Sequence, residues 1–455
     1  MKLELHYYDI YPKVFLVNKP IKVTVKPLGA HVTFRDKVKV SVFSMAHGMP
    51  AAYPERNNIA SYEVNTTEDG CVRFTHTYPE EGEYRILIEQ EAKNARDPQS
   101  QIKLSVYALA EDMCGRYPFR GDLHIHTCRS DGRQSPAVVA ANYRRNGYDF
   151  MVISDHRKYF PSLEAIEAYS KVPHEMNIVI GEEVHLPGND IHIVNFGGKY
   201  SVNGLWADSE QNREGGKRSI IDSPPPMLTE EEYRAEVNKL AEELDIPEGI
   251  EKFTYAACVW IFNHIREAEG LGIFAHPYWI RGNMTYQVPE DFCAYMTKTH
   301  PFDAFEVLGG ERYYQQNGLQ TQRYYEDRAL GIKYPIVGAT DSHNSLPDLS
   351  QGAMICSTFV FAKENERGSL VSAIKEFYSV AVDTISAEYR IVGDMRLVKY
   401  VRFLLDDFTP LHDELCYEEG RLMKAYVVGE EGAEEGLRFI YGRMDRLFKK
   451  YFAVE

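Results

Sequence analysis

Tyr117-Pro118-Phe119-Arg120-Gly121-Asp122-Leu123-His124-Ile125-His126 marks the point at which the sequence changes character. The stretch ends with two imidazoles placed two residues apart. On a strand, residues i and i+2 share a face, so both rings can reach one cation. Upstream, residues 1–115 alternate with period two, as in Ile21-Lys22-Val23-Thr24-Val25, Tyr84-Arg85-Ile86-Leu87-Ile88 and Ile102-Lys103-Leu104-Ser105-Val106. Alternation punctuated by Gly, Pro, Asn and Asp predicts half-buried antiparallel strands in a β-sandwich. Downstream, short apolar strands alternate with helical stretches, the pattern of an α/β domain with a parallel sheet.

Strands are expected at 150–153, 177–180, 191–196, 272–275, 304–308 and 334–337. Helices are expected at 136–145, capped by Ser135 with Pro136 in the first turn, at 163–169, capped by Ser162, and at 253–269 and 320–330. Residues 203–250 hold Gly215-Gly216 and Pro224-Pro225-Pro226 and read as an insertion with a mobile loop that could serve as a lid. The expected organisation is a sandwich at 1–115, an α/β domain at 116–384, and a helical extension at 385–455 packed on it.

The chain has 455 residues, which favours two or three domains, and 44% hydrophobic residues supply ample core. The formal net charge of −16, with no basic stripe, disfavours DNA or RNA as a partner, whereas a small anionic substrate stays open because bound cations reverse the local field. The seven cysteines are scattered, with no Cys-x-x-Cys, as expected for reduced thiols in a cytoplasmic protein. No stretch approaches the ~18 apolar residues of a membrane span, so no membrane association is expected. Nothing in the sequence sets the oligomeric state.

Nearly every strand downstream of residue 120 ends on a metal-ligand type: His124 and His126, Asp155-His156, Glu182-Glu183, His192, His276, Glu306, and Asp341 with His343. In parallel α/β barrels the strand ends converge on the active-site face. Mixed imidazoles and carboxylates suit zinc, manganese or iron, and these are more groups than one ion takes, so two or three divalent ions (Mn2+, Zn2+ or Fe2+) are expected.

These stretches resemble the polymerase and histidinol phosphatase (PHP) family of metal-dependent phosphoesterases. The likeness rests on Asp122-Leu123-His124-Ile125-His126-Thr127, Ser130-Asp131-Gly132, Ile153-Ser154-Asp155-His156, Gly181-Glu182-Glu183-Val184, Ile191-His192, Ala275-His276-Pro277 and Thr340-Asp341-Ser342-His343, in family order over about 115–385. The resemblance implies a distorted (β/α)7, TIM-like barrel. It implies nine metal ligands: His124, His126, Asp131, His156, Glu183, His192, His276, Asp341 and His343, with Glu183 bridging. It further implies hydrolysis of a phosphomonoester by metal-activated water, with Asp341 helping to deprotonate that water and Asp155 orienting a ligand imidazole. The N-terminal sandwich beside such a barrel resembles the carbaryl-hydrolase-like branch. Within that sandwich, the segment from Phe74 to Tyr84 resembles the hairpin of immunoglobulin-like modules.

Other residues admit two readings. His185 competes with His192 for the ligand position and is otherwise a candidate general acid. Glu306 reads as structural, and Cys128 as loop packing. Arg157, Arg129 and Lys158, with Arg133 and Arg281, follow ligand-bearing strands and are candidate contacts to an anionic substrate. Two alternatives stand beside the phosphoesterase: an amide, carbamate or ester hydrolase on the same metals, and a metal-stabilised binding module without turnover.

Overall fold

The computed structural model describes residues 2–49, 51–56, 59–92, 99–282, 284–309, 313–346, 356–384 and 390–455. The chain divides into two compact units. One comprises Met1–Tyr117, Met395–Leu415 and Gly442–Glu455, the other Pro118–Asp394 and Cys416–Tyr441.

The first unit is built on the period-two segments. Along Gly82–Glu89, Tyr84, Ile86 and Ile88 are buried and the residues between them are not. This strand pairs antiparallel with Gln101–Leu109, placing Ile86 opposite Leu104, and with Lys37–Ser44, placing Ile88 opposite Val40. They lie in a six-stranded sheet in the order Phe452–Ala453, Val14–Leu16, Gln101–Leu109, Gly82–Glu89, Lys37–Ser44, Ala60–Asn65. A three-stranded sheet runs Tyr8–Tyr11, Pro20–Pro27, Val72–Thr77. Val23, Val25, Val72 and Phe74 of the smaller sheet share one core with Val40, Ile86, Ile88, Leu104 and Val106 of the larger. Each such buried side chain contributes about 1.5–3 kcal/mol.

Residues 385–455, expected as one extension of the α/β domain, are instead shared between the two units, and 385–389 lie outside the described residues. The helix Met395–Asp407 belongs to the first unit because its side chains find partners there. Arg396 bonds Asp112 at 2.7 Å, and the rings of Tyr400 and Phe403 lie 4.9 and 5.4 Å from that of Tyr107. Phe452–Ala453 extends the larger sheet by pairing parallel with Val14–Leu16.

The second unit holds a six-stranded sheet, Asn177–Val179, Phe150–Val152, Tyr117–Asp122, Cys356–Ala362, Ser379–Asp383, Arg390–Val392, and a five-stranded sheet, Gly181–Val184, Ile193–Phe196, Leu271–Phe274, Ala304–Leu308, Ile336–Gly338. The expected all-parallel sheet is in fact mixed: Ile193–Phe196 runs antiparallel to both of its neighbours. The connection 185–192 is too short for the roughly dozen residues of a parallel crossover, so the chain must turn back. Gly181 permits the close pairing, since a Cβ there would stand 2.5 Å from the Asn195 carbonyl oxygen.

Two helix starts differ from expectation. Ser135 holds the cap position before Pro136–Arg145, but its side chain makes no capping bond. Ser162 lies inside the helix Phe160–Tyr169, which begins early because Pro161 fits its first turn. The Ser162 hydroxyl donates to the Tyr159 carbonyl at 2.9 Å and accepts from Gly181 N at 3.2 Å.

The insertion folds into Glu210–Arg213 and Glu230–Glu243. The longer helix starts at a capping box: Thr229 Oγ1 accepts from Glu232 N at 3.2 Å, and Glu232 accepts from Thr229 N at 2.7 Å. It buries Tyr233, whose ring stands 5.2 Å from that of Trp260 on the helix Lys252–Glu267. Among the described residues, no helix is long and apolar enough to cross a membrane.

Candidate metal centre

Backbone pairing beyond the regular strands gathers the ligand types. His126 N donates to Ser342 O at 2.8 Å and Asp341 N to His124 O at 2.9 Å, so the 124–126 and 341–342 segments lie side by side. Ser154 N donates to Ile125 O at 2.8 Å, and Glu183 N to Ser154 O at 3.0 Å. Parallel bridges Ile125–Ser342 and His156–Glu183 complete the run. His192 comes just before an antiparallel strand, whose start lies at the same end as its neighbours' finish: Ile193 faces both Val184 and Phe274. That places His192 beside Glu183 and close to His276.

The nine residues expected as ligands come together. Glu183 lies at the middle, with Oε2 2.7 Å from His156 Nδ1 and 3.4 Å from the Nε2 atoms of His124 and His126, and Oε1 2.7 Å from His192 Nδ1. Asp341 Oδ1 stands 2.9 Å from His126 Nε2 and 3.3 Å from His124 Nε2, and Oδ2 3.6 Å from His276 Nε2. On the outer side, Asp131 lies 3.3 Å from His343 Nε2 and 3.5 Å from His156 Nε2. Gly132 lets this loop close on the first strand, since a Cβ would stand 2.6 Å from His126 O. His276 and Asp341 hold φ at 22° and 53°, and Arg157, which follows His156, at 62°. Such left-handed backbone costs about 1–3 kcal/mol per residue and collects at functional sites.

The centre fits divalent cations on its own chemistry. His124 Nε2, His126 Nδ1, His192 Nδ1, both nitrogens of His276 and both oxygens of Glu183 are buried with no hydrogen-bond partner among the described residues. Each such atom costs about 1–3 kcal/mol if nothing meets it, and a cation meets nitrogen and carboxylate oxygen alike. Among the described residues, the sets at this centre that bring their ligand atoms within 4.8 Å of one another and could hold an ion include His126, Asp131, His156 and His343; His124, His126 and Asp341; His124, His276 and Glu306; and His156, Glu183 and His185. Burial lowers His126 and His276 to about 3, keeping them neutral as metal binding requires. Burial alone would raise Glu183, but facing imidazoles, His192 first, outweigh it and hold the carboxylate well below its usual range.

Several supporting roles differ from the sequence reading. Glu306 is fully buried and its Oε2 lies 3.1 Å from His124 Nδ1, turning His124 Nε2 toward Glu183 and Asp341. Asp155 bonds no imidazole among the described residues. It accepts from Thr127 N at 2.8 Å, Thr127 Oγ1 at 2.6 Å, Ser130 N at 3.1 Å and Ser130 Oγ at 2.5 Å, so it anchors the loop that carries Asp131. Two acids went without a role in the sequence. Asp122 accepts from Thr340 Oγ1 at 2.6 Å and His124 N at 3.2 Å. Glu182 accepts from Ser201 Oγ at 2.6 Å, Val202 N at 2.5 Å and Asn203 Nδ2 at 2.9 Å, tying the root of the insertion to the Glu183 strand. Two adjacent acids in a buried strand are the signal for such a pair, since strand alternation sends them to opposite faces.

The expected substrate cations already hold partners. Arg129 forks onto Glu164 at 2.7 and 2.9 Å, Arg157 bonds Glu210 at 2.8 Å, and Lys158 bonds Glu214 at 2.7 Å and Arg129 O at 2.6 Å. Arg133 is exposed, Cys128 is exposed, and the Arg281 side chain lies outside the described residues. His185 Nε2 stands 3.0 Å from His156 Nδ1 and 3.5 Å from Glu183 Oε1. It also lines a cavity of about 370 Å³ with Arg157, Asn189, Trp206, Glu210 and Arg213.

No family model matches the chain. In sequence it is 29% identical over 115 residues to the DNA polymerase/3'-5' exonuclease PolX of Bacillus subtilis, a match spanning 24% of this chain and 19% of that protein. In structure it is similar to a two-domain Bacteroides vulgatus protein containing a predicted PHP-like metal-dependent phosphoesterase, at 16% identity and a TM-score of 0.38, covering 61% of this chain and 76% of that one. It is also similar to a Bifidobacterium adolescentis protein assigned as a metal-dependent phosphoesterase, at 16% identity and a TM-score of 0.32, covering 49% and 87%. An amidohydrolase from Chromobacterium violaceum gives 15% identity and a TM-score of 0.29, covering 51% and 89%.

Proposed function

We propose that the protein is a metal-dependent hydrolase of PHP type, with a distorted (β/α)7 barrel preceded in sequence by an N-terminal sandwich, and that it cleaves phosphomonoesters. The observation that carries this reading is the set of buried, unpartnered imidazole and carboxylate atoms around Glu183. His124, His126, Asp131, His156, Glu183, His192, His276, Asp341 and His343 would hold two or three divalent ions, of manganese, zinc or iron. Such ions, when bound, polarise the phosphoryl group and make water acidic enough to supply a nucleophile at neutral pH.

The chain's own residues prepare that chemistry. Glu306 fixes the ring of His124, while Asp122 and Asp155 fix the backbone on either side of His126. Asp341 stays ionised, because facing imidazoles outweigh the effect of its burial, and its carboxylate accepts the proton of the attacking water. His185 suits the acid role less well: burial lowers it to about 4, so it is a neutral imidazole at neutral pH, without the second proton a general acid would give up. We assign it to hold His156 instead, and the leaving oxygen takes its proton from water.

Arg157 and Arg213 line the cavity together with Asp190, Glu210 and Glu230, so its cations are balanced by carboxylates. The pairing of Arg157 with Glu210 is the observation that keeps the amide, carbamate or ester reading as second. The deciding experiment is metal analysis with a screen of phosphoesters, carboxylic esters and carbamates, using His124→Ala as control. Phosphomonoester turnover that vanishes in H124A supports the proposal. Full activity in H124A sinks the site, turnover of carbamates alone sinks the phosphatase reading, and bound metal with no turnover favours a binding module.

A further inference from the structure

The turn that follows His276 carries an indole onto the metal centre. Trp279 N donates to His276 O at 3.0 Å and Gln287 N donates to Trp279 O at 2.6 Å, so the backbone of the residue is held on both sides. Tyr278, next to it, is buried in the apolar core and its hydroxyl accepts from Arg323 at 3.2 Å. The Trp279 ring goes elsewhere. It stands 6.0 Å from the ring of His192 and 6.1 Å from that of His276, and those two rings are 5.0 Å apart.

The centre is closed on one side and open on the other. His124, His126, Glu183 and His276 are buried, whereas Asp131, His156, His192 and His343 reach solvent. The half-buried indole adjoins one imidazole of each kind, so it lies at the rim where the two sides meet. It is a flat apolar surface beside a centre built of imidazoles and carboxylates. Such a ring has area left to cover. Its face favours a second aromatic ring, offset or edge-on, by about 0.5–1.5 kcal/mol beyond the area buried. The indole stands about one ring's breadth from both ligands, so a group that stacks on it is joined directly to the scissile oxygen.

We infer that Trp279 is a specificity-determining residue of the site and that the departing half of the substrate is aromatic, making the substrate an aryl ester. The inference rests on the hydrolase reading above and adds the chemical class of the leaving group. The indole takes no part in bond cleavage; it holds the aryl ring against the open side of the centre.

The test uses the metal-loaded protein and two non-hydrolysable probes, phenylphosphonate and methylphosphonate, with binding followed by calorimetry and metal content measured for each variant. Wild type binds the phenyl probe more tightly. Trp279→Ala cuts the phenyl-to-methyl affinity ratio about tenfold, and Trp279→Phe, which keeps a ring, retains most of it. A ratio unchanged in W279A, a ratio lost equally in W279F, or no binding of phenylphosphonate to wild type overturns the aryl subsite. A fall in both affinities together with loss of metal makes Trp279 a mere support of His192, and also overturns it. In each of these cases, phosphate release from phenyl phosphate by wild type leaves the hydrolase standing. A Trp279-dependent phenyl preference without turnover of any ester overturns the hydrolase reading and leaves the subsite standing.

Discussion

Glu306 Oε2 lies 3.1 Å from His124 Nδ1, and both side chains are fully buried. A carboxylate behind an imidazole fixes the tautomer, so that the far nitrogen presents its lone pair to the cation.

Glu306→Gln keeps the shape and removes the charge. The expected result is a loss of metal affinity of about 10–100-fold with the fold intact. Equilibrium dialysis with elemental analysis measures it, and unchanged occupancy at limiting metal would show that Glu306 only fills space.

Asp155 gathers four donors from Thr127 and Ser130 onto one buried carboxylate. Asp155→Asn cannot accept at both oxygens and is expected to lose about 2–3 kcal/mol of stability. Urea unfolding of the two proteins checks this. A change well under 1 kcal/mol would mean the 127–132 loop is held by other means.

Arg144 is fully buried between Asp149 at 3.0 Å and Glu419 at 2.5 Å, all within the second unit. Removing one partner strands a buried charge, so Glu419→Ala is expected to cost about 3–5 kcal/mol. The readout is the thermal midpoint, which should drop while metal content per folded molecule stays the same.

Lys13 is the reverse case. Its ammonium is fully buried without a hydrogen-bond partner among the described residues, 5.0 Å from the Tyr451 ring centre. Burial pushes it down to about 8 from an ordinary value of 10.5, against the pull of Asp407 and Asp9. The unfolded chain therefore binds more protons between those values, and stability should rise as pH climbs from about 8 toward 10.5. Lys13→Met is expected to gain about 3 kcal/mol at neutral pH and to abolish that rise. Unfolding curves across the alkaline range test it; a wild-type stability that falls through that range, with no difference in K13M, contradicts it.

Much of the centre could be read from residue order, because strand geometry is local. His124 and His126 share a face by period alone, whereas the reversal over 185–192 that brings His192 round runs against the parallel-sheet reading. What could not be read depends on distant partners. Nothing near Arg129 or Arg157 announces Glu164 or Glu210, which arrive from other helices. The helix Met395–Asp407 takes its address from partners distant in sequence, among them Tyr107, Glu81, Asp112 and Lys2. Glu306 was ambiguous for the same reason, since a buried acid shows its purpose only when its neighbour is known.

Glu182 and Glu183 are adjacent on one strand and face opposite ways, one toward the metal centre and the other toward Ser201 and Asn203. The root of the insertion is thereby fixed independently of its tip. Ser201 and Asn203 are held one residue from the centre, so a substitution at either reaches Glu183 through a single peptide unit.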